Sequence, residues 1–239
     1  MEQKGCLQNT EKNGREQLRK CVLRFLNTNM DIVLKYFPDI TEKQSMQFEM
    51  LFDLYKDWNE KINLISRKDF DSLYEKHILH SLAIAKFIQF KNGTKVLDIG
   101  TGGGFPGIPL AILFPNAAFT LCDSIAKKIT VAENISETIG LRNTDFVIGR
   151  VEQLKEKFHF IVSRAVAPAE QLYRWTQSYV LDDEFNTRSN GWLFLKGGDL
   201  KEELKAVKQL NRKLYIEEYP LNAWFSEEFF ETKKLAYIY

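Results

Sequence analysis

The chain has 239 residues, of which 44% are hydrophobic and 27% charged, and its formal net charge is +1. That is enough apolar material for a full core, and the length fits one domain with an extension better than two equal domains. No apolar run approaches the length of a membrane span, and the near-zero net charge excludes a protein held to nucleic acid by its overall charge, so an RNA or DNA partner would need a local basic patch.

Residues 1–29 are polar, rich in Lys, Arg, Asn and Gln, and show no signal-peptide apolar region. A weak helix is expected over 15–26. Met30 opens the first well-patterned segment, and one reading makes it the natural start. Cys6, Cys21 and Cys122 are an odd number, far apart and without metal-site spacing, which points to a reducing, cytoplasmic setting. His77, His80 and His159 make no metal set either, and no metal is expected.

The first strong helix is expected over 41–65. Thr41 and Gln44 form a capping box at its start, and Phe48, Leu51, Phe52, Tyr55, Trp58 and Ile62 recur at helical spacing as a core-packing face. Asn63-Leu64-Ile65-Ser66 leaves the helix. A second helix is expected over 71–90, with Tyr74, Ile78, Leu82 and Ala85 on one face and His77, His80 and Ser81 beside it. Asn92-Gly93 ends it.

The stretch 95–109 organises the rest. A short strand over 96–99 carries Asp98. Glycines follow at Gly100, Gly102, Gly103, Gly104 and Gly107, and an apolar helix resumes over 108–114. Strand, glycine turn and helix open a nucleotide-binding βαβ unit. A dinucleotide fingerprint needs glycine where Phe105 stands. What fits is G-x-G-x-G at Gly100, Gly102 and Gly104, a form that resembles motif I of Rossmann-like S-adenosylmethionine-dependent methyltransferases. A second strand over 118–122 ends in Asp123, 23 positions beyond Gly100. A carboxylate there binds a ribose in such folds, and it also suits a cap for the next helix, shared with Ser124. That helix, over 124–139, carries Lys127 and Lys128 and an apolar stripe of Ile125, Ile129, Ala132 and Ile139. Strands are expected over 145–148, 158–162, 192–196, 213–219 and 234–239, with helices over 169–179 and 200–210. Gly149-Arg150-Val151-Glu152, Ser163-Arg164-Ala165 and Lys196-Gly197 fall at carboxyl ends of strands, where the crevice of an open α/β sheet lies.

Together these motifs, with the Phe-Pro-Gly-Ile-Pro tail of the glycine loop, Asp123-Ser124 and His77-Ile78-Leu79-His80-Ser81, make the chain from about Asp31 onward resemble one bacterial family. It is the glucose-inhibited division protein B family, the 16S rRNA guanine-N7 methyltransferases, also called ribosomal small-subunit methyltransferase G. The resemblance implies a class I methyltransferase fold, an α/β, mostly parallel seven-stranded sheet with an antiparallel last strand. It divides the chain into an extension (1–29), an N-terminal helical region (30–92) and a methyltransferase domain (93–239). It implies S-adenosyl-L-methionine along Gly100, Gly102, Gly104 and Phe105, the ribose on Asp123, the adenine at Val151 and Glu152, and Arg164 near the methionine end or the incoming base. By analogy Asn63, Ser66, Arg67, His77 and Lys196 belong to the RNA side. Lys127 and Lys128 are candidate phosphate contacts, as are Lys201, Lys205 and Lys208, for which a solvated helix face is the alternative. The implied partner is 16S rRNA or the small subunit, with no membrane, and nothing points to an obligate oligomer. Two features depart from the family: His80 stands where Asp is common, and residues 1–29 match nothing in it.

Guanine N7 carries a free lone pair and no proton, so the implied reaction needs in-line positioning and no general base. The chain has no Asn-Pro-Pro-Tyr motif for exocyclic amines, and Cys122 lies in a strand rather than a catalytic loop. The alternative is a class I methyltransferase acting on another RNA, a protein or a small molecule.

Overall fold

The strands over 95–99, 118–123, 160–164 and 191–197 are buried on both faces, so each must be covered twice. This is the pattern of a parallel sheet between helical layers. In the computed structural model, which describes residues 30–66 and 69–239, the strands are β1 (Lys95–Ile99), β2 (Ala118–Asp123), β3 (Thr144–Ile148), β4 (Phe160–Arg164), β5 (Gly191–Gly197), β6 (Ile216–Pro220) and β7 (Lys233–Ile238). The expectations for residues 1–29 and for Arg67 lie outside the described residues. The sheet order is β3-β2-β1-β4-β5-β7-β6. β1 to β5 run parallel, and β7 inserts antiparallel between β5 and β6. The order reverses between β1 and β4, which opens a crevice at their carboxyl ends.

Alternate residues of each strand enter different cores. Val96, Phe119, Leu121, Phe160 and Val162 join one cluster, while Leu97, Ile99, Cys122, Ile161 and Phe194 join the other. The first cluster also takes in the N-terminal helices, α1 (Asp31–Tyr36) and α2 (Glu42–Lys61), through Val33, Phe48, Leu51 and Tyr55. The capping box at α2 forms as expected: Gln44 N donates to Thr41 Oγ1 at 3.3 Å and Thr41 N to Gln44 Oε1 at 2.8 Å. The Gln44 amide also donates to the carbonyls of Ile112 and Leu113, so one residue joins the start of α2 to the glycine-loop helix.

Three expectations need correction. The helix expected over 71–90 is a 3-10 turn (Phe70–Ser72), a π-helix (Leu73–Leu79) and then α3 (His80–Phe87). Its apolar stripe reads the same either way, but the wider turn re-aims His77. The fourth strand begins at Phe160, because Phe158 makes an isolated bridge to Val180 instead. Ile125 is not in the buried stripe of its helix. It precedes α5 (Ala126–Thr138) in an extended conformation and is 47% exposed. The remaining helices are α4 (Gly107–Leu113), α6 (Ala169–Thr176) and α7 (Lys201–Leu210).

Candidate active site

The glycine loop folds back on the protein through its own amides. Gly100 N and Thr101 N both donate to Cys122 O, at 2.8 and 3.1 Å, Gly104 N and Phe105 N to Thr101 O, and Gly102 N to Asp123 Oδ2 at 2.9 Å. A pyrophosphate-binding loop keeps such donors free for the anion; this one does not. Asp98 anchors the far side. Its Oδ2 accepts from Thr101 Oγ1 at 2.6 Å and from Gly107 N at 2.8 Å, tying strand, loop and helix start together. Gly100 has φ +63° and a Cβ there would stand 2.5 Å from Val166, so a side chain would displace the loop after β4. At Gly102, with φ +58°, a Cβ would meet nothing within 4 Å, because this backbone faces open space.

That space is a cleft of about 730 Å³ at the carboxyl ends of β1 to β4. Gly100, Gly102, Phe105, Asp123, Val151, Glu152, Arg164, His77 and Lys128 all line it. Asp123 closes β2: besides Gly102, it accepts from Ile125 N at 2.8 Å through Oδ1, so it holds the loop and starts the next helix. Cys122 also reaches the cleft, and burial pushes its thiol up to about 11, leaving it un-ionised near neutral pH.

Arg164 bridges the sheet to the N-terminal helices. Ser163 Oγ donates to Ile99 O at 2.9 Å and fixes the end of β4. Arg164 then crosses to the π-helix, donating to Lys76 O at 2.9 Å and to His77 Nδ1 at 2.9 Å, with its guanidinium 5.1 Å from the Phe105 ring centroid. Ala165, at φ +54°, turns the chain away behind it. Because Arg164 only donates, His77 Nδ1 must accept and the ring proton sits on Nε2. Burial first, then the Arg164 charge, hold His77 down to about 3, so it is neutral throughout the working range. Burial lowers Arg164 itself to about 10, which leaves it charged.

Some expected residues are not brought to the cleft. Asn63 and Ser66 are exposed, and their neighbours Leu64 and Ile65 line it instead. Asn59, outside that motif, shapes the turn: its Oδ1 accepts from both Leu64 N and Ile65 N at 2.9 Å. Ser66 Oγ donates to Asp69. Lys127 is exposed on α5 and Gly104 lies behind the loop, where a Cβ would collide with Ile108 at 2.3 Å. Lys196 turns away from the cleft. Its ammonium donates to Ala167 O and pairs with Glu203 at 2.6 Å, and Glu203 also accepts from Ala169 N. It is a strut for the loop after β4, because an acidic helix start lies within its reach. His80 is buried edge-on against Phe229 and Phe230, its Nε2 without a partner.

Other residues join the site without a sequence signal of their own. Tyr55, fully buried on α2, donates to Gly103 O at 2.8 Å and stacks on Phe105 at 4.8 Å. An aromatic at helical spacing reads as core, and only its hydroxyl hints at a buried acceptor. Trp175 and Val166 complete the wall.

Asp98 provides a stability test. Its Oδ1 is buried without a partner, and burial raises the carboxyl to about 7. A raised carboxyl pKa means the fold binds a proton that the unfolded chain has lost, so this group's stabilisation fades as pH rises from about 4 through 7. Relative to wild type, Asp98→Asn is therefore expected to lose about 3 kcal/mol between pH 7.5 and 4.5. His77, whose folded pKa is depressed, then weakens the variant unopposed as pH falls below 6.5. Denaturant unfolding at the two pH values measures this, and parallel stability curves for the two proteins would refute it.

The switch-point crevice, the backbone facing it at Gly102 and the carboxylate closing β2 suit a nucleoside ligand without pyrophosphate. Asp123 and Glu152 offer carboxylate acceptors to the hydroxyls and amine of such a ligand. The fold is shared with solved methyltransferases at low identity. A TehB-like S-adenosylmethionine-dependent methyltransferase from Corynebacterium glutamicum matches with TM-score 0.53 and 16% identity, over 77% of this chain and 96% of that one. A precorrin-6y C5,15-methyltransferase from Geobacter metallireducens matches with TM-score 0.50 and 13% identity, over 74% and 91%. Sheet order and these neighbours define the Rossmann-like fold of S-adenosylmethionine-dependent methyltransferases. A profile of the family described as rRNA small subunit methyltransferase G matches residues 44–228. Ribosomal RNA small subunit methyltransferase G of Cytophaga hutchinsonii is 52% identical over 209 residues, 87% of this chain and 99% of that protein. The Bacteroides thetaiotaomicron protein of the same name is 54% identical over 208 residues, 87% and 98%. The chain belongs to the rRNA small subunit methyltransferase G family and is an rRNA methyltransferase.

Proposed function

We propose that the protein methylates N7 of a guanine in the 530 loop of bacterial 16S rRNA, in the cytoplasm, by in-line displacement without a general base. When bound, S-adenosylmethionine supplies an electrophilic methyl group on a sulfonium, and its positive charge passes to the purine. Gly100, Gly102 and Phe105 lie along the cofactor in this reading, Asp123 holds its ribose, and Val151 and Glu152 meet the adenine. Arg164 and His77 face the reacting end.

The observation that carries the reading is the pairing of Arg164 with His77. The one imidazole nitrogen able to accept a proton is already occupied by a guanidinium. His77 is therefore a fixed donor through Nε2–H, and Arg164 a fixed cation. Donors suit guanine, whose major-groove edge offers the O6 and N7 acceptors. A hydrogen bond to O6 orients the base while leaving the N7 lone pair free. Nothing in this pair can act as a base near neutral pH, and N7 attack needs none.

The test is methyl transfer from labelled S-adenosylmethionine to small ribosomal subunits from a strain lacking this gene, with the modified base mapped. Label on N7 of one guanine in the 530 loop is expected. The rate of the chemical step should show no bell from pH 5 to 8, since His77 stays neutral across that range and Asp98, raised to about 7, adds at most a single step through its hold on the loop. Label at another atom or another RNA would move the weight to a different acceptor, and a bell-shaped profile for the chemical step would restore a general base.

A further inference from the structure

We propose that α7 and the edge strand β6 form a second RNA-contact surface, a cationic row beside a tyrosine stacking platform for an unpaired base. It rests on the ribosomal RNA reading above and adds a contact away from the cleft.

Lys201, Lys205 and Lys208 recur at i, i+4 and i+7 along α7, so they share one helix face, and all three are exposed. Arg212 and Lys213 extend the charge into the following turn. Between 201 and 215 the acids are Glu202 and Glu203. Glu203 is held by Lys196 at 2.6 Å, and Glu202 meets Lys205 only at 3.4 Å with both side chains largely in solvent. A chain whose net charge is +1 therefore carries a local basic patch here. Across a hollow of about 540 Å³, floored by Leu204 and Ile216, Glu218 is paired with Lys234 at 2.9 Å. Glu217 accepts from the hydroxyls of Tyr219 and Tyr239.

Tyr215 stands at the end of this row, 66% exposed. Its ring stacks on Tyr239 at 5.4 Å, and Tyr239 stacks on Tyr237 at 4.4 Å. The Lys208 ammonium lies 5.8 Å from the Tyr215 centroid. An exposed, backed tyrosine beside a cation is the pairing that single-stranded nucleic acid uses, base on ring and phosphate on lysine. A second copy of the chain fits less well. β6 is the outermost strand of the sheet, but Glu217, Glu218 and Pro220 blunt it against strand addition. None of these residues lines the cleft.

The experiment compares wild type, the triple variant Lys201→Ala/Lys205→Ala/Lys208→Ala and Tyr215→Ala. Small subunits from a strain lacking the gene serve as substrate, and S-adenosylhomocysteine binding and sedimentation are measured alongside. The triple variant should raise KM for subunits at least about tenfold at unchanged kcat and lower the slope of log affinity against log salt by about 2. Tyr215→Ala should weaken subunit binding about tenfold with little change in that slope. S-adenosylhomocysteine affinity should stay at the wild-type value in both, which reports an intact cleft. Wild-type labelling with KM and salt slope unmoved in both variants would overturn this surface alone. A wild-type dimer that the variants dissolve would assign the face to a second copy and overturn it too. A wild type that labels no rRNA would bring down the ribosomal reading first, and the surface with it.

Discussion

Arg164→Met is expected to lower kcat/KM for small subunits at least about a hundredfold, the loss typical of removing one preorganised charged donor from a reacting site. Methionine keeps much of the stem volume, so the change isolates the guanidinium. That group donates to Lys76 O and His77 Nδ1 and lies over Phe105. Without it the π-helix carbonyl and the imidazole nitrogen lose their partner, and Asp98 loses the cation that offsets part of its burial. A drop in stability of about 2 kcal/mol should accompany the kinetic loss, because buried groups are left unpaired. Arg164→Lys should recover little, since a single ammonium cannot serve two acceptors in a fork and lie flat over a ring. Steady-state kinetics and denaturant unfolding on the same preparations separate the two effects. A folded Arg164→Met protein with wild-type kcat/KM would remove Arg164 from the site.

What could be read from the sequence and what could not divide on physical lines. Glycines after a strand have few other uses, so the loop and the cleft at β1 were legible, and the carboxylate closing β2 followed from chain order. Arg164 was legible because a charged residue at the carboxyl end of a buried strand has only the crevice to enter. Lys196 stands at the equivalent end of β5, yet its ammonium leaves the crevice. Lysine has a long flexible stem, and Glu203 on α7 draws the ammonium sideways. Strand position fixes where a backbone ends, not where four methylenes lead.

The π-helix was invisible for a different reason. Tyr74, Ile78 and Leu82 satisfy an apolar face whether the turn is α or π, so hydrophobic period alone cannot find the widening that aims His77 at Arg164. Tyr55 was hidden by its neighbours: in a stripe of aromatics, one that bonds the glycine loop looks like the rest. In Asn63-Leu64-Ile65-Ser66 the polar residues have the side chains suited to a ligand, yet the turn is built by Asn59, and it presents the apolar pair. Loop direction depends on which backbone amides find a side-chain acceptor, and that is a tertiary fact.

Asp123→Ala should raise the dissociation constant for S-adenosylhomocysteine about a hundredfold, the equivalent of about 2.7 kcal/mol and in the range of one or two charged hydrogen bonds. The carboxylate has two duties in the protein itself, accepting from Gly102 N and Ile125 N. Alanine therefore also frees the loop amide and the start of α5, which should lower stability by about 1 kcal/mol, as loss of a helix cap does. A purely structural role would produce the second effect and, through a loosened loop, part of the first. Asp123→Asn separates them. One amide oxygen can accept from only one of the two backbone donors while the NH2 group faces the other, so stability should fall, but by less than in Asp123→Ala. Its NH2 group, however, turns an acceptor toward the ribose hydroxyls into a donor and removes the charge. If Asp123 grips the ribose, Asp123→Asn still weakens S-adenosylhomocysteine at least about tenfold, as expected for a lost charge-assisted hydrogen bond. If the residue only braces the loop, Asp123→Asn loses affinity only in step with its smaller loss of stability, well short of Asp123→Ala. Calorimetric titration of the two variants decides between a residue that touches the cofactor and one that holds the backbone for it.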